Sequence, residues 1–203
     1  MLPGTPGQSP STYVEQATII QGMQQHVLTP HPDTPQPAIT GIQVTATFTK
    51  TGALTLTYTL TANLTHLRIL ETTTPSRAND LWRHTCFEAF LQGDDAPAYR
   101  EFNFSPSGQW QAYAFSDYRQ GGPLEPAPAP TFERNDTANQ ITLTCILPAE
   151  ALPKGTQLHV GLTAVMEAAD GSEGSFSYWS LRHPPGKPDF HHTHGFALTL
   201  ERP

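Results

Sequence analysis

Two neighbouring segments alternate apolar and polar side chains so regularly that a β-strand is the only regular element that fits them. Ala53-Leu-Thr-Leu-Thr-Tyr-Thr-Leu60 does so throughout, and Gly41-Ile-Gln-Val-Thr-Ala-Thr-Phe48 does so almost as strictly. A period of two sends successive side chains to opposite faces of a sheet, one for the core and one for water. Thr51-Gly52 between them reads as a hairpin turn. Further short strands are expected at Leu67–Leu70, Thr85–Gln92, Tyr99–Ser105, Gln109–Phe115, Gln140–Leu147, Gln157–Ala168, Ser175–Leu181 and Gly195–Leu200. Gly171 should turn the chain between two of these, and Glu71–Asp80 and the Pro-rich stretch from Gly121 to Pro130 read as loops. Helical periodicity is nearly absent, so the pattern predicts an all-β, antiparallel β-sandwich.

A chain of 203 residues suits one such domain. Residues 1–25 are rich in Pro, Gly and Ser and read as a flexible tail, with a turn or two of helix around Val14–Met23; residues 26–203 form the sandwich. A net charge of −7 argues against a nucleic-acid partner, because phosphate binding needs clustered Lys and Arg. No stretch is apolar enough to cross a membrane as a helix. The opening Met-Leu-Pro-Gly lacks a basic region followed by an apolar run, which leads us to expect a cytoplasmic location. Cys86 and Cys145 fall inside expected strands and read as buried, reduced thiols.

The richest chemistry lies on two adjacent strands. Alternation puts Phe87, Ala89 and Leu91 on one face of the first and Cys86, Glu88 and Phe90 on the other. On the second it separates Phe102 and Phe104 from Tyr99, Glu101, Asn103 and Ser105. With the phenylalanines in the core, Glu88, Glu101 and Asn103 share the opposite face. Carboxylates and an amide beside aromatic rings suit the gripping of sugar hydroxyls, each supplying directional hydrogen bonds near an apolar surface. The same two carboxyl groups could alternatively form an acid/base pair of the glycosidase kind. Pro106-Ser107-Gly108 suits a three-residue hairpin loop, which sets Phe104 opposite Trp110 and so sends Trp110 to the core. Trp82 precedes the first strand beside Arg83 and His84; it is either a stacking platform for a ligand or a lid on one end of the sandwich. Of Tyr178 and Trp179, only one can face the core. His183, Asp189, His191, His192 and His194 sit in a Pro-rich loop without metal-ligand spacing, and are expected to be solvated or capping residues.

Three strings carry a resemblance. Leu81-Trp-Arg-His-Thr-Cys-Phe-Glu-Ala-Phe90, Glu101-Phe-Asn-Phe-Ser-Pro-Ser-Gly108, and Ser177-Tyr-Trp-Ser-Leu-Arg-His-Pro184 with Pro188-Asp-Phe-His191 look like the bacterial DOMON-like proteins. These belong to the wider group that includes family 9 carbohydrate-binding modules. The resemblance runs from about residue 26 to the C-terminus. It implies a β-sandwich with a cleft for a sugar or for haem, and a non-catalytic, ligand-binding role. In the sugar-binding modules two tryptophans clamp the sugar above a glutamate. Trp82, Glu88 and Trp179 look like the matching positions, Asn103 is similar to a hydrogen-bonding residue, and Arg83 and Glu101 complete the expected site. In haem-binding relatives a Met and a His ligate iron, which here would mean Met166 with His183 or His191. The primary expectation is a small carbohydrate or similar polar metabolite, with no cofactor.

Overall fold

The computed structural model describes residues 24–94, 97–169 and 175–203. Most of the expected tail, its short helix and the Gly171 turn lie outside the described residues. Thirteen strands make up the described fold: β1 (Gln25–Pro30), β2 (Ile39–Phe48), β3 (Leu54–Ala62), β4 (Ser76–Arg77), β5 (Cys86–Gly93), β6 (Tyr99–Phe104), β7 (Gln109–Asp117), β8 (Gln120–Pro123), β9 (Thr131–Asp136), β10 (Gln140–Leu147), β11 (Gln157–Glu167), β12 (Phe176–Ser180) and β13 (Leu198–Glu201).

They form the two layers of a β-sandwich. The first layer runs β9-β10-β3-β2-β1, and the second runs β4-β7-β6-β5-β11-β12, with β8 beside β7 and β13 beside β11. β1 belongs to both: its Gln25–Leu28 pair with β2, while Thr29 and Pro30 pair with β12, so the sheet curls around this strand. All pairings are antiparallel except the two-residue contact of β4 with β7.

Alternation explains the core directly. Leu54, Leu56, Tyr58, Leu60 and Ala62 of β3 point inward with Ile42 and Val44 of β2. They meet Phe87, Leu91, Phe102, Phe104 and Trp110 from the second layer. Tyr58 spans the gap, its hydroxyl donating to Glu88 O at 2.8 Å while its ring lies 4.9 Å from that of Phe87. That bond satisfies the one polar atom on an otherwise apolar side chain, as a buried phenol requires. The expected hairpin register holds: Phe104 pairs with Trp110, and Gly108 adopts φ +92°, a left-handed conformation open chiefly to glycine. Both cysteines are free and buried.

Several expectations need correction. Leu67–Leu70 is not a strand; a 3-10 turn at Leu64–His66 delivers only a single bridge, Leu67 to Ala168, because the chain crosses the end of β11 instead of lying along it. β1, β4, β8 and β9 went unforeseen. Each is short, polar or proline-bearing, and β8 and β9 lie at sheet edges, where proline and charge are tolerated and the alternating signal fades.

Candidate functional site

The outer face of the second layer is unusual because its polar side chains are buried. One row crosses five strands in register: Gln111, Asn103, Glu88, Thr163 and Ser180. Each is at most 4% exposed. The adjacent row is Tyr113, Glu101, Phe90 and Gly161. A Cβ on Gly161 would stand 2.9 Å from the Phe196 ring, so glycine here lets that ring settle against Phe90 at a centroid distance of 6.0 Å.

The segment after β12 covers this face. His31 Nε2 meets Gly186 O at 2.8 Å and His183 Nε2 meets Thr29 O at 2.9 Å, tying one end of the segment to β1. The other end is tied by Asp189. It accepts from the Tyr118 hydroxyl at 2.8 Å, the Arg119 guanidinium at 3.0 Å and the His191 N–H at 3.2 Å. These donors hold the Asp189 carboxyl below its ordinary range, against the opposing effect of burial.

Between segment and sheet lies a cavity of about 590 Å3, within the ordinary size of small-molecule sites. Glu88 and Glu101 line it, with Trp82, Phe90, Phe115 and Tyr178 among the surrounding aromatics. Trp82 is placed by a 3-10 turn, Leu81–Arg83, which buries Leu81 and leaves the indole 46% exposed. The Arg83 guanidinium lies over that ring at 4.9 Å.

The carboxyl groups are strained electrostatically. Burial, followed by the proximity of Glu101, raises the Glu88 carboxyl well above its usual value, against the hydrogen bond from Thr163 Oγ1 at 3.3 Å. Burial lifts Glu101 to about 7, offset in part by the Asn103 amide, which donates at 2.9 Å, and by Arg119. His191 stands 3.7 Å from Glu101, a distance that would suit an ion pair. Burial and Arg119 instead lower its pKa to about 4, so at neutral pH it faces Glu101 uncharged. The Tyr99 hydroxyl accepts from the Arg119 backbone N–H at 3.1 Å and shares a hydrogen bond with His191 Nδ1 at 2.8 Å, which holds the imidazole with Nε2 toward Glu101. Asn103 Oδ1 is buried with no hydrogen-bond partner among the described residues.

Of the expected site residues, the structure brings Trp82, Glu88 and Glu101 to this cavity. Asn103 lies beneath it, fully buried, and reaches it only through Glu101. Arg83 lies outside the lining and rests on Trp82. Trp179 is the clear correction. It is buried between the layers, its Nε1–H donating to Ser177 Oγ, because the strand period gives the outward position to Tyr178. Met166 is likewise a core residue, on the opposite face of β11 from cavity-lining Val165. It faces away from His191, which lines the cavity on the other side of the sheet, so those two residues do not converge. His191, expected to be solvated or capping, is instead part of the cavity wall. Tyr178 was one alternation step from being named; His191 and Arg119 come from loops, where no periodicity signals direction.

The fold is that of the family 9 carbohydrate-binding modules. Two such modules from Caldicellulosiruptor kristjanssonii are similar to it. The one solved with glucose has a TM-score of 0.56 and 8% identity over 96% of this chain and 91% of that one. The one solved with cellotriose has a TM-score of 0.53 and 11% identity over 88% and 82%. A provisionally assigned carbohydrate-binding protein from Bacteroides uniformis superposes with a TM-score of 0.64 and 14% identity over 89% and 86%. No protein-family model matches the sequence, and no curated protein matches it.

Proposed function

We propose that this chain is a non-catalytic carbohydrate-binding domain that holds a small sugar in the cavity above Glu88 and Glu101. The observation that carries the reading is the pairing of buried carboxyl groups with aromatic walls inside a space of sugar size. Trp82 and Tyr178 offer apolar surface to the C–H side of a pyranose, while the carboxyl groups and His191 address its hydroxyls. The sugars bound by the two similar modules support the same class of ligand. Kinship with DOMON-like proteins, carried by the sequence strings, is part of this proposal, as are a bacterial source and a cytoplasmic setting. Calorimetric titration with mono- and disaccharides tests it. Binding should be saturable, and Trp82→Ala should weaken it about tenfold, the loss of one stacking contact. A wild-type chain that binds no sugar would end this reading.

A further inference from the structure

Among the described residues neither carboxyl group of the cavity is paired with a lysine or arginine; the one ion-pair-range contact is His191 with Glu101 at 3.7 Å. Glu88 is 2% exposed, and its hydrogen bond from Thr163 reaches Oε2, leaving Oε1 without a donor among the described residues. Glu101 receives an amide from Asn103 and faces a neutral imidazole. The Arg119 guanidinium is engaged by Asp189 and Tyr118. Lys187 and Asp80 also line the cavity, and Asp80 stands 3.9 Å from Arg83, so the lining carries both signs of charge. Tyr99, Tyr113, Tyr178 and Cys86 on this face are raised by burial and stay neutral. The walls point the same way, because aromatic ring faces attract cations beyond their affinity for neutral groups. Carboxyl groups without a counter-ion and a ring-lined enclosure both favour a positively charged group over a hydroxyl.

Resting on the carbohydrate reading, we propose that the cavity selects a sugar carrying a protonated amine, with its ammonium seated between Glu88 and Glu101. Such a ligand supplies the missing cation and donates to the free Glu88 oxygen. It also displaces the proton that the buried pair retains near neutral pH, so binding is coupled to proton release.

The test is a titration of the full chain with glucosamine, galactosamine and mannosamine against their neutral parent hexoses. It is run in two buffers of different ionisation enthalpy. One amino sugar should bind at least about tenfold more tightly than its parent, a difference suited to a partly buried ion pair. Its heat should depend on the buffer, reporting a released proton. Glu88→Gln should bring the ratio of the two affinities close to one. Equal binding of amine and parent, or binding without proton release, overturns this proposal while leaving the carbohydrate reading intact. Failure of every sugar to bind overturns both.

Discussion

The outer faces of the two layers are both polar, yet they are built from different physics. On the first layer the outward row Thr45, Thr57, Thr144 repeats across β2, β3 and β10, and Thr59 stands beside Thr142. These side chains are short, β-branched and partly exposed, and Thr57 meets Thr144 hydroxyl to hydroxyl at 3.1 Å. Threonine suits a half-exposed pleated surface, so this face needs no ligand to explain it. On the second layer the matching positions hold Glu88, Asn103 and Gln111, each nearly or fully buried. Burying such groups is unfavourable unless something compensates. Polarity alone does not mark a functional face; polarity that has been taken out of water does.

The sharpest way to break the comparison is within one dipeptide. Tyr178 and Trp179 are adjacent, but the first lines the cavity and the second fills the core. Trp179→Ala should lower unfolding free energy by about 3–5 kcal/mol, the range for large aromatic truncations in cores. Tyr178→Ala should lower it by about 1 kcal/mol while weakening sugar binding. Denaturant titration and calorimetry on the two variants read both effects. A Tyr178→Ala protein as unstable as Trp179→Ala would show that the two faces are not functionally divided.

The next effect is a pH dependence centred on the buried carboxyl groups of the second layer. Glu101 has a folded pKa near 7 against an ordinary value of 4.5. Its folded state therefore holds the extra proton between those values. The stability this contributes is complete below about 4.5 and is lost as pH rises through about 7, by up to about 3 kcal/mol. Glu88 acts in the same direction. His191, lowered from 6.5 to about 4, acts oppositely: its contribution is present above 6.5 and lost as pH falls toward 4. Glu101→Gln should thus stabilise the chain at pH 8 and flatten the fall between pH 5 and 7, while His191→Gln should steepen the rise on acidification. Denaturation midpoints measured from pH 5 to 8 decide the matter. An unchanged profile in Glu101→Gln would mean that its carboxyl group is not held out of water.

A smaller effect is expected at the clip over the cavity. Asp189 gathers three hydrogen bonds, and removing it leaves the loop tied to β1 through His31 and His183. Because its Arg119 partner is half exposed, Asp189→Ala should lower stability by about 1 kcal/mol or less. Amide exchange across residues 184–194 should quicken, and sugar affinity should fall several-fold. Exchange confined to its wild-type rate would assign the closure to the β1 end alone.

How much of this was legible follows from what alternation can and cannot encode. The period of two placed Phe87, Phe102, Phe104 and Trp110 in the core and put Glu88, Glu101 and Asn103 on one outward face, because side-chain direction in a strand is fixed by parity. The hairpin loop at Pro106–Gly108 then fixed Phe104 opposite Trp110. Parity also required Tyr178 and Trp179 to part company. Which of them faced the core depended on the register of β12 against β11, a long-range fact absent from the local sequence. The loop residues Arg119, Asp189 and His191 carry no period at all, and their roles come from a cover closing over the face.

The smallest expected effect completes the contrast. Thr57→Val removes a hydroxyl from the first layer while keeping its shape and branching. The lost partner is a single part-exposed Thr144 hydroxyl that water can satisfy. Stability should therefore change by no more than about 0.5 kcal/mol, and sugar affinity should not change. The same kind of change on the second layer, Thr163→Val, deletes the hydroxyl that donates to Glu88 inside a buried row. Both groups are nearly fully buried, so the change should be worth about 1–3 kcal/mol and should alter binding. Equal costs at the two threonines, measured by denaturant unfolding, would erase the distinction between a wet polar face and a buried one.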